Sequence, residues 1–312
     1  MKKSLAVLLF ILLAGCASHA PQPQSTASTQ ETLAHAERAS AAYRQHDYPT
    51  AFGEAMGLAK QGNAWGELFV GLLYIDGNGV AKDLAEGARW MRRSADHGYA
   101  PAQLMLGALY VEGKGVPKDD TQAVAWYRKA ADQGSTKAMF LLGGMYKLGK
   151  GVAQSDADAT VWWHKCAELR DTQCELGLAG LYAVGSGVPK DLGQAMAWVR
   201  KAADQGDAQA QVAVGMAYGK GEGVPKDPAQ AVTWFRKAAD QNLREAQYLI
   251  GDAYEHGTGV PQSNKQAKDW YRKAAAQGDP NAQQALWRLM TPSERAWAQV
   301  QKEAGPIFKK HP

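Results

Sequence analysis

Cysteine is scarce in this 312-residue chain: only Cys16, Cys166 and Cys174 are present. No Cys-x-x-Cys occurs, which argues against a redox-active pair. Charge of one sign is also missing. The chain has 35 basic and 31 acidic side chains, and two of the lysines lie at the extreme N-terminus, so neither nucleic acid nor an acidic lipid surface is implied as a partner. The seven histidines (His19, His35, His46, His97, His164, His256 and His311) fall into no metal-ligand spacing. A phosphate loop fails at its last position: Gly144, Gly149 and Lys150 fit, but Gly151 stands where Ser or Thr is needed and no strand precedes it. No Gly-x-Ser-x-Gly elbow exists. These absences leave no candidate catalytic, cofactor-binding or metal-ligating residue. The expectation is a protein that is not an enzyme and carries no cofactor. Nor is there an apolar run long enough to cross a bilayer, since Leu5 to Leu13 is too short.

That short run does carry a signal. Lys2 and Lys3 form a positive n-region before it, and it ends in Leu13-Ala14-Gly15-Cys16. The tetrapeptide resembles the lipobox of bacterial lipoproteins, in which the cysteine thiol receives diacylglycerol. The resemblance implies a signal peptide over 1–15 and lipidation of Cys16. Ala17 rather than Asp follows, which by the same resemblance directs the chain to the periplasmic side of the outer membrane, with the lipid as its membrane contact. A plain secretory signal is the alternative. Residues 16–30 are polar and read as a disordered tether.

The rest is governed by a period. Trp90, Trp126, Trp162, Trp198, Trp234 and Trp270 lie 36 residues apart, as do Tyr74, Tyr110, Tyr146, Tyr182, Tyr218 and Tyr254. A Gly-x-Gly-Val loop keeps the same interval, beginning at Gly77, Gly113, Gly149, Gly185, Gly221 and Gly257. A repeat of this length predicts stacked supersecondary units. In one unit, Ala102, Leu106, Gly107 and Tyr110 recur at helical spacing and mark the buried face of a helix A. A small residue at the Gly107 position lets a neighbouring helix approach closely. Gly113 and Gly115 end that helix. Helix B then starts at Asp83, Asp119, Ser155, Asp191, Asp227 or Ser263, each followed three residues later by Glu, Gln or Asp in a capping-box pattern. Ser135, Asp207 and Asp279 are placed to cap the next helix A.

Ala-x-x-x-Leu-Gly-x-x-Tyr-x-x-Gly-x-Gly-Val, followed by Asp, Ala, Trp and Ala-Ala-Asp-Gln-Gly, resembles the Sel-one-like repeat, a relative of the tetratricopeptide repeat. The resemblance implies an all-α, right-handed α-solenoid over residues 64–290, with six copies and a final half repeat. Upstream, residues 31–63 resemble a degenerate tetratricopeptide-type hairpin (Ala42, Tyr43, Asp47, Tyr48, Ala51, Leu58). Downstream, 291–312 holds a capping helix that begins at Thr291 and carries Trp297, then a tail. Terminal units of an array are expected to depart from the pattern.

Cys166 and Cys174 replace the small alanines of helix B and the following helix A, positions that face each other across a turn. A disulfide is expected in an oxidising compartment, stapling a turn in which Arg170 replaces the usual glycine; two reduced core cysteines are the alternative. Cysteine-rich members of the family pair cysteines at this spacing. Because such relatives have been linked to β-lactams, Ser-x-x-Lys and Lys-Thr-Gly were sought, and neither occurs. A β-lactam or amide hydrolase is therefore the remotest reading.

In related solenoids helix A forms the inner wall. Counting from the repeat alanine, position +2 reads Leu68, Leu104, Phe140, Leu176, Val212 and Tyr248, and position +6 reads Leu72, Ala108, Gly144, Gly180, Met216 and Asp252. These twelve residues are the candidate partner-binding groove, with an apolar centre at Phe140, Gly144 and Gly180. Position +10 adds Asp76, Glu112, Leu148, Val184, Lys220 and His256. The expected function is a monomeric, non-enzymatic scaffold holding a partner protein, peptide or helix. By resemblance the partner belongs to an envelope adaptor or regulatory role, or alternatively is a phospholipase-type toxin neutralised by an immunity protein.

Overall fold

The computed structural model describes residues 26–297 and 299–300. Cys16, its lipobox and the tether up to residue 25 lie outside the described residues. Among those described, fifteen helices run in sequence, joined by short turns. The first hairpin is α1 (Thr26–Arg44) and α2 (Tyr48–Lys60). Six repeats follow, each a helix A and a helix B: α3 (Ala64–Asp76) and α4 (Leu84–Asp96); α5 (Ala100–Glu112) and α6 (Asp120–Asp132); α7 (Thr136–Leu148) and α8 (Asp156–Glu168). The second three are α9 (Thr172–Val184) and α10 (Leu192–Asp204); α11 (Ala208–Lys220) and α12 (Pro228–Asp240); α13 (Arg244–His256) and α14 (Asn264–Ala276). A half repeat, α15 (Pro280–Leu289), and further helical turns from residue 292 complete the array. No described helix is long and apolar enough to cross a membrane. The chain divides at Lys165/Cys166 into two compact units.

The core is periodic because the sequence is. Val70, Leu106 and Leu142 in the first unit, and Leu178, Val214 and Ile250 in the second, occupy one repeat position and are fully buried. The small residue that follows each of them has a specific partner. A methyl built on Gly107 would lie 2.6 Å from the Tyr127 ring, one on Gly143 2.6 Å from Trp163 Cδ1, and one on Gly251 2.6 Å from Tyr271. Each ring belongs to the residue just after the periodic tryptophan, so helix B lays a side chain flat on a glycine of helix A. The fourth repeat has Ala179 for the glycine and Val199 for the ring, a smaller side chain over a larger floor.

All six expected caps of helix B form, with the Asp or Ser side chain accepting from the first-turn N–H groups. The other half of the capping box does not. The cap residue's own N–H donates to the tyrosine carbonyl of the preceding helix A: Asp83 to Tyr74 at 3.0 Å, and Asp119 to Tyr110 at 3.0 Å, with the same bond in the other four repeats. That donor is already satisfied, so the Glu or Gln three residues on has no cap N–H to reach. A reciprocal box occurs after α15, where the Gly-x-Gly-Val loop is missing and Thr291 follows the helix directly. There the Thr291 N–H donates to Glu294 at 2.7 Å, and the Glu294 N–H donates back to Thr291 Oγ1 at 3.3 Å. The Thr291 bonds, with Lys268 at 2.9 Å, hold the Glu294 carboxyl at about 2.

Three ladders recur with the repeat, the first two joining one element to another and the third running within helix B. Arg92, Arg128, Arg200 and Arg236 on helix B donate to the hydroxyls of Tyr110, Tyr146, Tyr218 and Tyr254 in the next repeat. In the second, an exposed glutamine after helix B donates to a buried side chain of helix A: Gln133 to Gln103 at 2.8 Å, Gln205 to Glu175 at 2.7 Å, Gln241 to Gln211 at 3.0 Å and Gln277 to Gln247 at 2.9 Å. In the first repeat His97 and Glu67 take these places, 2.8 Å apart. The third repeat has Met139 and Leu169 at these two sequence positions, so the hydrogen-bonding side chains are lost together. In the third ladder each periodic tryptophan lies under the cation three residues on, from Lys201 over Trp198 at 3.6 Å to Arg93 over Trp90 at 4.5 Å.

Candidate protein-binding surface

In five of the six loops the second glycine fixes where helix A of one repeat ends relative to the element before it. A side chain on Gly79, Gly115, Gly151, Gly223 or Gly259 would collide with the first-turn backbone of the preceding helix B, or of α2 in the case of Gly79. These glycines also take positive φ, near 70°, so close approach and conformation both demand glycine. Residue +10, the last or nearly last of helix A, is thereby held at the surface. Leu148 is 64% exposed and Val184 70% exposed, the two most exposed large apolar side chains on any helix A among the described residues.

The twelve predicted groove residues divide into surface and core. Gly180 and Met216 are exposed, and Leu104, Ala108, Phe140, Gly144, Leu176, Tyr248 and Asp252 are half-buried. Leu68, Leu72 and Val212 are buried, at 3%, 4% and 3% exposure, and so are not surface residues. Val212 joins the cluster of Ala246, Ile250 and Tyr271, where a branched side chain gains more by filling the gap between helices than by facing water. Position +2 is therefore mainly packing and +6 mainly surface. Phe140 stacks on Trp163 with centroids 5.9 Å apart, and its carbonyl accepts from Trp163 Nε1 at 3.0 Å; an acidic residue there would disturb the core as well as the surface. Methyls built on Gly144 and Gly180 meet no atom within 4 Å, so these two glycines, unlike Gly143, answer no packing need within the chain.

In the second unit the polar end of the surface is built around Glu255. Its carboxylate accepts from Tyr271 at 2.8 Å and from Arg288 at 2.6 Å. Asp252 lies 3.3 Å from His256. Burial raises the Tyr248 hydroxyl's pKa, and nearby Asp252 adds to the effect.

Cys166 and Cys174 form the expected disulfide, with Cα atoms 5.8 Å apart. Arg170 between them has φ +62°, where other repeats use Gly98, Gly134, Gly206 or Gly278. Asp171 lies close enough to both sulfurs to complete a three-ligand cluster, but the sulfurs are bonded to each other. The Asp171 carboxylate also caps α9 through the Gln173 and Cys174 N–H groups.

The profile of the Sel1 repeat matches six successive segments: 66–99, 100–135, 136–171, 170–207, 208–243 and 244–279. The chain belongs to the Sel1 repeat family. Among solved structures, a protective antigen of uropathogenic Escherichia coli displaying an SLR fold is 35% identical over 76% of this chain, with a TM-score of 0.70. This Sel1 repeat chain spans about half of that antigen, 51% of its length. A Sel1 repeat protein from Oxalobacter formigenes is 31% identical, covering 77% of this chain and 99% of that one, with a TM-score of 0.64. An immunity protein from Pseudomonas aeruginosa is a far more distant match, 20% identical over 69% of this chain and 81% of its own, with a TM-score of 0.38. No functionally curated protein matches the chain.

Proposed function

We propose that this Sel1 repeat protein is a non-enzymatic scaffold of the bacterial envelope, lipid-anchored through Cys16 at the periplasmic side of the outer membrane, which holds a partner protein against the exposed ends of its helices A. The observation that carries this reading is the exposure, within each unit by itself, of apolar side chains on helices A: Leu148 (64%) beside Gly144 in the first, and Val184 and Met216 (70% and 38%) with Gly180 in the second. Scattered exposed leucines are ordinary. Leu148 and Val184 share one repeat position that is polar in the other four repeats, and such side chains suit an apolar contact made by a protein segment.

The test is affinity capture from detergent-solubilised envelope, with the intact chain as bait and Leu148→Asp and Met216→Asp as controls. These positions are exposed, so both variants should melt like the wild type. A single secreted enzyme lost with either variant identifies a dedicated inhibitor of the immunity type. A set of envelope-assembly proteins lost in the same way identifies an adaptor. Equal capture by bait and controls refutes the helix-A surface. Cys16→Ser should move the protein from the membrane fraction to the soluble periplasm; unchanged fractionation would refute the lipid anchor.

A further inference from the structure

Helix α7 carries two lysines, Lys137 and Lys147, with Lys150 just beyond its end, and no acidic side chain. It also bears a gap. Phe140, Gly144 and Leu148 follow one another at i, i+4 and i+8, so they form one stripe along the helix surface. Phe140 is half-buried, Leu148 is 64% exposed, and between them a methyl on Gly144 would meet nothing within 4 Å. A glycine in mid-helix weakens the helix. The neighbouring Gly143 is matched by the ring of Trp163 lying on it; Gly144, like Gly180 in α9, has no such neighbour. The stripe is thus large, absent, large, a notch one side chain deep between two apolar walls. The lysines border the same stripe, with Lys137 three residues before Phe140 and its ammonium 5.4 Å from that ring, and Lys147 three residues after Gly144.

We propose that the notch over Gly144 receives a bulky apolar side chain from an acidic segment of a partner protein, whose carboxylates meet Lys147 and Lys150. This rests on the helix-A surface being the binding face and names the chemistry of what binds there. The apolar walls exclude water around the inserted side chain, and Lys147 and Lys150 at its rim select against basic segments.

The test pans a displayed library of random 15-residue peptides against the purified full chain, with Gly144→Leu as counter-selection. Leucine at 144 fills the notch while improving the helix, so that variant should melt at or above the wild-type temperature. The expected winners combine a bulky apolar residue with flanking Asp or Glu. Their Kd should rise at least tenfold on Gly144→Leu and on Lys147→Glu/Lys150→Glu, and should also rise with salt. Leu148→Asp, at an exposed position, gives the same reading should Gly144→Leu fail to fold. Neutral or basic winners, unchanged affinity for Gly144→Leu, or no winner surviving counter-selection would overturn the notch. Winners lost on Met216→Asp but not on Gly144→Leu would overturn the notch alone. Winners indifferent to every helix-A substitution would overturn the binding face as well.

Discussion

The pairing of Gly143 with Trp163 can be tested against the chain's own fourth repeat, which replaces it with Ala179 and Val199. In Gly143→Ala the new methyl would fall 2.6 Å from Trp163 Cδ1 and 3.0 Å from Cε2, so the ring must move. Such overpacking costs about 1–3 kcal/mol. Displacing the ring also breaks its 3.0 Å hydrogen bond to the Phe140 carbonyl, and an orphaned buried donor costs about 1–3 kcal/mol more. Against this, alanine gains roughly 1 kcal/mol over glycine in a helix. The net expectation is a loss of about 1–5 kcal/mol. Trp163→Val alone opens a cavity and should cost about 3 kcal/mol. If the two sites were independent, the double variant would lose about 4–8 kcal/mol. Because alanine fits beneath valine as it does in the next repeat, the double variant should instead lose no more than Trp163→Val does alone. Urea unfolding of all four proteins, followed by far-ultraviolet circular dichroism and by hydrogen exchange in α7 and α8, measures the coupling; exchange keeps the reading local where repeats unfold in sequence. Losses that add to within about 0.5 kcal/mol would refute the idea that ring and glycine are one feature.

Arg170→Gly should stabilise the turn by about 1 kcal/mol, because a side chain at φ +62° carries a left-handed penalty that glycine does not; an unchanged urea midpoint would refute this. Replacing Cys166 and Cys174 by alanine removes a short cross-link, of sequence separation 8, and should cost about 2.5 kcal/mol by chain entropy, measured with and without reductant so that reduced wild type and variant coincide. Glu175 is 2% exposed, and burial raises its carboxyl pKa despite the Gln205 bond. A raised folded value contributes stability below the unfolded carboxylate pKa, and this is lost as pH rises through the folded one. Glu175→Gln, which restores the residue found at Gln103, Gln211 and Gln247, should therefore raise stability at pH 7 and lose that advantage near pH 4; a pH-independent difference would refute the burial argument.

The helices, caps and loops were legible because each is signalled within the repeat itself: Asp119 precedes its helix, Gly113 ends one, and the period states how often. The return half of the capping box was misread because its competitor, the Tyr110 carbonyl, lies nine residues upstream and leaves no mark in a local motif. Gly107 was recognisable as a place of close approach, but its partner Tyr127 was not, since the adjacent Trp126 carries the stronger periodic signal. The column Met91, Tyr127, Trp163, Val199, Phe235, Tyr271 does hold the clue, in that its one small β-branched member faces the one alanine. The surface was the least legible part. Leu68, Leu72 and Val212 share their columns with half-buried and exposed residues, and whether a leucine bridges two helices or points outward depends on the backbone around it. Leu148 and Val184 were visible as apolar entries in an otherwise polar column, and it is they that the fold leaves most open.

The bond from each cap residue to the tyrosine carbonyl nine residues earlier, together with the loop glycine seated on the preceding helix, gives the connection no slack. One residue added to that loop would put a side chain where only glycine fits, or carry the cap N–H away from its acceptor. Such an array cannot drift in length by small steps. It changes size by gaining or losing whole helical units, so adapting to a larger partner means duplicating a unit rather than extending a loop.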